Sequence, residues 1–135
     1  MADQPAKGAS FSFTKICVAD LSRSVDFYTR HFGMKHFSEY ESPTLKEIML
    51  KTSDHPEAPT LVLMKHLPDQ KIDIGNGYGP LGIVTGDIRS LFAELAADRA
   101  AITEQPHEMG ELGILVGFVE DPDGHPIEIV QLLQR

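Results

Sequence analysis

The chain is nearly devoid of cysteine, since Cys17 is its only thiol in 135 residues. One cysteine cannot close a disulfide within the chain or supply the several thiolates of a cysteine-rich zinc site, which excludes a disulfide-stapled secreted scaffold. Positive charge is also scarce, because 12 Lys and Arg stand against 20 Asp and Glu, for a net charge of -8. A surface of this charge repels the phosphates of nucleic acids and anionic membranes, so neither is an expected partner.

Long apolar runs are missing as well. No stretch approaches the roughly 18 consecutive apolar residues that a membrane-spanning helix needs. Residues 1–10 contain no apolar segment of the signal-peptide type, so we predict a flexible tail there and a cytoplasmic location. Residues 11–135 have the size of one domain, given that a domain usually takes roughly 100–200 residues.

Hydrophobic periodicity divides this domain into two halves with the same order of elements. In the first half, a strand-like alternation precedes a helical stripe that begins after Asp20 and stops at Gly33, and three extended segments follow. In the second half, another strand precedes a helix that Asp87 can cap, again followed by three extended segments. Corresponding segments of the two halves lie 66 or 67 residues apart, which favours an internal duplication.

We therefore predict an α+β fold built from two βαβββ modules. The first module takes residues 11–66, a connector rich in glycine and proline takes residues 67–78, and the second module takes residues 79–135. Each module alone would leave one apolar sheet face exposed. Pairing the two sheets around a shared cavity buries most of that surface and provides a place for a ligand.

Three stretches carry a recognisable pattern, namely the helix-bearing stretch 18–34, the connector stretch 71–79, and the turn and strand 119–130, with the sequence VEDPDGHPIEIV. These stretches resemble the vicinal oxygen chelate superfamily, which includes glyoxalase I, bleomycin-resistance proteins and extradiol dioxygenases. The resemblance implies a curved mixed sheet around a shared cavity and a homodimer. It also implies a metal ion on the concave face, held by four side chains that are usually His, Glu or Gln, His and Glu.

This sequence departs from the family pattern at the metal-ligand positions. Set against glyoxalase I, the four ligands fall on Phe13, Val62, Pro80 and Glu128. Phe, Val and Pro carry no donor atom, and a single carboxylate does not make a transition-metal site. We therefore predict no metal and no other cofactor, and we assign Glu128 as the candidate proton-transfer group, the alternative being a remnant that only binds a ligand hydroxyl or a water.

The three departed positions, Phe13, Val62 and Pro80, become candidate ligand-binding residues, and further side chains join them. The family position for an arginine that binds the glutathione carboxylate falls on Cys17, which has no neighbouring histidine in the sequence and is expected to be a buried small hydrophobe. His107 belongs to a candidate lid over residues 105–113. The further candidate ligand-binding residues are Lys15, Cys17, Glu47, Met64, Tyr78 and His107.

Three functions remain open at this point. The first is a metal-independent, glyoxalase-like lyase or isomerase acting on a small, largely apolar carbonyl compound. The second is a protein that sequesters a small molecule without chemistry. The third is a metal-dependent lactoylglutathione lyase, which the missing ligands disfavour. In each case the expected partner is a small molecule.

Overall fold

The described part of the chain folds into eight strands and two helices, in the order that the periodicity predicts. A computed structural model describes residues 8–133. The first module contains β1 (Phe13–Cys17), α1 (Leu21–Phe32), β2 (Lys35–Ser42), β3 (Leu45–Lys51) and β4 (Thr60–His66). The second module contains β5 (Leu81–Val84), α2 (Ile88–Ala97), β6 (Ala101–Met109), β7 (Ile114–Glu120) and β8 (Pro126–Leu132).

The two modules have the same strand topology, and this confirms the predicted α+β fold of two βαβββ units. The first sheet has the strand order β1-β4-β3-β2 and the second has the order β5-β8-β7-β6. In both, the first and last strands of the module pair in parallel, and the other pairs are antiparallel. No ladder joins the two sheets within residues 8–133, so the curved sheet consists of two four-stranded halves.

Side-chain caps fix where the two helices begin. The Asp20 carboxylate accepts the Arg23 backbone N–H at 3.0 Å, and the Asp87 carboxylate accepts the Ser90 N–H at 3.1 Å. Each bond satisfies a backbone donor that has no partner inside its helix. Helix α1 ends at Gly33, whose φ of 68° is accessible to glycine at little cost. The sequence-predicted limits of α1 are therefore set by local chemistry.

Alternation along the strands gives each sheet two distinct faces. The inner face packs against the helices and carries the core residues, among them Leu61 and Leu63 of β4 and Ile127 and Ile129 of β8. The intervening residues project from the opposite side, here called the outer face. The sequence-predicted site residues on β1, β4 and β8 alternate with these core residues. They therefore all lie on the outer face of their sheets.

The second module depends on a close approach between its helix and its sheet. A Cβ atom built on Gly117 of β7 would lie 2.6 Å from the Phe92 ring of α2 and 3.1 Å from the Glu104 carbonyl oxygen. No side chain fits in that space without displacing the ring or the neighbouring strand. Glycine at this position therefore lets the Phe92 ring pack closely against the inner face.

Hydrogen bonds from the turn between β7 and β8 bind the second module to α1. The Tyr28 hydroxyl of α1 donates to Asp121 at 2.7 Å, and Asp123 accepts from the Ala19 N–H at 3.2 Å and from Arg23 at 3.0 Å. Asp121 also accepts the backbone N–H groups of Asp123 and His125. The Asp-Pro-Asp-Gly turn thus acts as a clasp between the modules.

The same turn gathers side chains of a type that can bind metals. One ligand atom each from Asp121, Asp123 and His125 lies within 4.8 Å of the others. The carboxylates, however, already accept protein N–H and O–H donors, including a contact of 2.8 Å between His125 Nδ1 and Asp121. We therefore assign the cluster to the clasp.

A second contact between the modules lies at the other end of α1. His31 is buried and places its two ring nitrogens 2.7 Å from Glu94 and 2.8 Å from Asp98 of the second module. Arg30 donates to the same Asp98 at 2.8 Å. Both ends of α1 are therefore tied to the second module by ionisable groups.

Strand β6 corrects one expectation from the sequence. Residues 105–109 lie in this strand, whereas we expected residues 105–113 to form a lid. Two register shifts, between Ile102 and Glu104 and between Glu104 and His107, break the alternation that would have marked the strand. The prediction of a lid is therefore wrong for the residues that β6 contains.

Over residues 8–133, neither helix is long and apolar enough to cross a membrane.

Candidate functional site

A cavity of about 790 Å³ lies beside the outer side chains of β1. Its size is within the range of about 300–1,000 Å³ that is usual for ligand pockets. The wall opposite β1 comes from the connector and from the start of β5, and further lining comes from His66 and from the end of the clasp turn. The apolar part of the lining consists of Phe11, Phe13, Ile16, Ile72, Ile74, Tyr78, Pro80, Leu81 and Pro126.

Five of the ten sequence-predicted site residues line this cavity, namely Phe13, Lys15, Cys17, Tyr78 and Pro80. They come together because the connector returns the chain to β1 just before β5 begins. Tyr78 is 95% exposed, so it stands at the rim.

The other five predicted residues lie elsewhere on the outer faces. Val62 and Met64 are on β4, and Glu47 lies opposite Met64 on β3. Glu128 is on β8 and His107 on β6, both in the second sheet. The outer faces therefore carry the predicted residues in two groups, one on each four-stranded sheet.

The four family metal positions do not form a donor set. Phe13 is 54% exposed, Val62 is buried, Pro80 is exposed, and Glu128 is half-buried. Only Glu128 has an oxygen to offer, and divalent transition metals in proteins take three or more side-chain ligands. These residues do not fit the metal ion that the family resemblance implies.

Glu128 is set among apolar neighbours. Its partners across the strands are Gly82 on β5 and Phe118 on β7, neither of which can donate from its side chain. Its carboxylate has no hydrogen bond or ion pair to any other residue between 8 and 133. A half-buried carboxylate in this state is free to accept a proton or a ligand hydrogen bond.

An ion pair crosses the outer face of the first sheet. The Lys15 ammonium lies 2.6 Å from the Glu47 carboxylate, whose side chain is only 6% exposed against 43% for Lys15. The register places Glu47 opposite Met64, on the outer face of the first sheet. A buried carboxylate needs such a partner, because an unpaired charge there would cost several kcal/mol. The pair keeps a positive charge at the edge of the cavity.

The structure corrects the expectation for Cys17. The thiol is half-buried, and its Sγ lies 3.8 Å from Nε2 of His66 at the end of β4, with both residues lining the cavity. Sequence inspection missed the pair because 49 residues separate its members. The parallel pairing of β1 with β4, in which Cys17 lies opposite Met64, brings His66 beside the thiol. The register of the two strands is the signal that could have revealed this contact.

His107 does not approach the cavity residues described above. It is exposed on β6, opposite Val116, and its Nε2 lies 2.8 Å from the Glu104 carboxylate three residues earlier. The imidazole therefore already has a hydrogen-bonding partner within its own strand and needs no ligand to satisfy it. Any part that His107 plays in binding would have to come from the outer face of the second sheet.

Comparisons with known proteins agree with this architecture. The family model described as Glyoxalase/Bleomycin resistance protein/Dioxygenase superfamily matches residues 10–129. A lactoylglutathione lyase of Arabidopsis thaliana is 33% identical over 116 residues, which cover 84% of this chain and 41% of the plant protein. A lactoylglutathione lyase of Escherichia coli O157:H7 is 28% identical over 120 residues, which cover 87% of this chain and 89% of the bacterial protein.

Solved structures give the same result. The crystal structure of glyoxalase I from Zea mays superposes with a TM-score of 0.82 at 25% identity, covering 92% of this chain and 45% of the maize chain. This chain therefore spans less than half of the Arabidopsis and maize proteins but most of the bacterial one.

Proposed function

Since the chain belongs to the glyoxalase/bleomycin resistance protein/dioxygenase superfamily, we propose that it is a glyoxalase-like lyase or isomerase that acts without a metal ion. Its substrate class is a small, largely apolar carbonyl compound. In this proposal, Glu128 takes a proton from the carbon next to the carbonyl group and returns it at a second position. A positioned carboxylate in such a role contributes about 10²–10⁴ in rate.

The observation that carries this proposal is the contrast among the four family ligand positions. Three hold hydrocarbon side chains, and the fourth keeps a carboxylate that is half-buried and unpaired among residues 8–133. A carboxylate flanked by Phe118 and Gly82 does not stabilise the fold, because it makes no hydrogen bond there. Proton transfer gives that carboxylate a use that does not depend on the missing ligands.

Metal removal tests the proposal directly. Enolisable aldehydes and ketones, together with lactoylglutathione, are incubated with the protein in D₂O, and deuterium uptake next to the carbonyl is followed by NMR. We expect the same exchange rate before and after treatment with a chelator, and less than one metal ion per ten chains by elemental analysis. A stoichiometric metal whose removal abolishes exchange would contradict metal independence and favour the metal-dependent lactoylglutathione lyase.

A sequestering protein is the second candidate function. The cavity of about 790 Å³ favours it, because the lining combines apolar side chains with polar ones such as Lys71 and Asp73, and the volume is large enough for a small aromatic molecule. Deuterium uptake distinguishes the two functions. A sequestering protein binds its ligand without deuterium uptake by any carbonyl compound in the panel.

We further propose that the protein is a homodimer in which the first sheet of one copy faces the second sheet of its partner. Large apolar side chains remain exposed on the outer faces, including Phe13, Val84 and Leu132 at 54%, 71% and 66%. Charge complementarity supports this pairing, because on the outer face of the first sheet Lys35 and Lys51 add to a Lys15 side chain that is paired with Glu47, whereas the outer face of the second carries Glu104, Glu120 and Glu128. A cytoplasmic location stays a prediction.

Light scattering after size-exclusion chromatography tests the dimer. We expect the wild-type mass to be twice that of the chain, and Val84→Glu to shift the protein to monomers because it buries a charge in the interface. Leu112→Glu, at a residue 62% exposed in the turn between β6 and β7, is the control and should leave the mass unchanged. A wild-type monomer, or a Val84→Glu dimer, would contradict the proposed arrangement.

A further inference from the structure

A thiol and an imidazole face the cavity together. Cys17 Sγ and His66 Nε2 are 3.8 Å apart, and both side chains belong to the cavity lining. This distance lies near the upper limit for a hydrogen bond that involves sulfur. A nucleophile within reach of a base is the arrangement by which proteins activate a thiol. The pair is not needed by the proposed proton transfer, which uses a carboxylate on the other sheet.

The surroundings of the thiol determine which reaction it can support. Lys15 precedes Cys17 by two residues on the same face of β1, at a spacing of about 7 Å along a strand. The Glu47 carboxylate lies 2.6 Å from Lys15 Nζ and positions this side chain. An ammonium does not form a Schiff base, but it stabilises negative charge that develops nearby. Lys15 is therefore suited to stabilise negative charge, and the Cys17 thiol is suited to form a covalent bond.

We propose that Cys17 and His66 form a covalent capture site for small α,β-unsaturated carbonyl compounds. The inference rests on the proposed function for the carbonyl class of the ligand, and it adds the conjugated double bond. A thiolate is a soft nucleophile, and the apolar walls formed by Phe13, Ile72 and Pro80 suit the hydrocarbon part of such a ligand.

The addition balances without a further reactant. His66 Nε2 accepts the thiol proton, and the sulfur forms a bond to the β-carbon of the ligand. The electron pair of the C=C bond moves to the α-carbon and the carbonyl oxygen, where the Lys15 charge stabilises the enolate. His66 then returns the proton to the α-carbon. The net result is addition of S–H across the double bond, with no change in oxidation state of the system as a whole.

Intact-mass spectrometry with 2-cyclohexen-1-one as the probe tests this site, because the chain has only one thiol. We expect one adduct per chain, located at Cys17 by peptide mapping and absent from Cys17→Ser. The labelling rate should saturate with probe concentration and exceed that of N-acetylcysteine at least tenfold. His66→Gln should lower the rate at least tenfold, while His55→Gln, in the exposed loop between β3 and β4, should label like wild type.

Two results would overturn the inference. One is a rate that rises linearly with probe concentration and equals that of the free thiol. The other is a His66→Gln protein that labels as fast as wild type. Because labelling needs no turnover, a protein that labels at Cys17 without proton exchange contradicts the proposed function alone. A protein that exchanges protons but labels like N-acetylcysteine contradicts this inference alone.

Discussion

The Glu128→Gln variant is expected to lose deuterium exchange at the substrate carbon by about 10²–10⁴ relative to wild type. Glutamine keeps the shape of the side chain and its capacity to accept a hydrogen bond, but it cannot take up a proton. Ligand affinity, measured by isothermal titration calorimetry, should therefore change by less than about tenfold. A loss confined to the rate is the behaviour of a group that acts in the transition state and not in ground-state binding.

Glu120→Gln is the matched control for this experiment. Glu120 is half-buried on the same outer face, at the end of β7 opposite Pro126, and receives the same chemical change. Its exchange rate should equal that of wild type. Equal exchange rates in Glu128→Gln and wild type would remove Glu128 from the mechanism. A loss of affinity that matches the loss of rate would assign Glu128 to ligand binding only.

The Asp121→Asn variant is expected to lose about 3–5 kcal/mol of unfolding free energy, which is the usual cost of breaking a buried charged network. The Asp121 side chain is fully buried and accepts from Tyr28, His125 and the backbone of the clasp turn. An amide supplies one acceptor oxygen in place of two and sets an N–H₂ group against donors that already point at it. Urea denaturation at pH 7 measures the difference.

The same carboxylate makes stability depend on pH. Burial raises the pKa of Asp121, but hydrogen bonds from His125 and Tyr28 outweigh this, so the pKa lies below its ordinary value. A carboxyl whose folded pKa is depressed contributes stability above its unfolded pKa, roughly 3.9, and loses it as pH falls through the folded pKa. The pKa of Tyr28 is raised by burial and by Asp121, so the phenol stays a donor throughout this range.

The free-energy difference between wild type and Asp121→Asn should therefore shrink as the pH falls below about 4. Asp69→Asn is the control, because Asp69 is exposed and pairs with Lys65 at the surface. Such pairs are worth about 0–1 kcal/mol, so this variant should stay close to wild type. If Asp121→Asn costs no more than Asp69→Asn, or if the difference is the same at pH 3 and pH 7, the clasp does not stabilise the fold as described.

Local patterns explain how much of this fold was predictable. The caps of Asp20 and Asp87 and the end of α1 at Gly33 depend on hydrogen bonds between residues close in sequence, and the structure places both helices there. Strand β6 was underpredicted after Glu104 because two register shifts remove the period-2 pattern over that stretch. Predictions succeeded where one residue's neighbours in sequence are also its partners in space.

The candidate site was predictable only in part. The outer-face parity of Lys15 and Cys17 follows from alternation along one strand, and both side chains line the cavity. Alternation does not predict that Cys17 pairs with His66 or that Lys15 pairs with Glu47, because 49 and 32 residues separate the partners. Such contacts depend on the register between strands, which a single sequence does not reveal.

The amino-acid sequence alone determined the order of the elements and the duplicated architecture, because both follow from residue type and local spacing, and the resemblance to the family marked three ligand positions as lost. Only the tertiary structure decided that the Asp-Pro-Asp-Gly turn clasps α1, that the sole thiol meets an imidazole, and that Glu128 lies outside the cavity beside β1. The physical reason is that these contacts join residues far apart in the chain, and their geometry is set by strand pairing and by how the two modules pack.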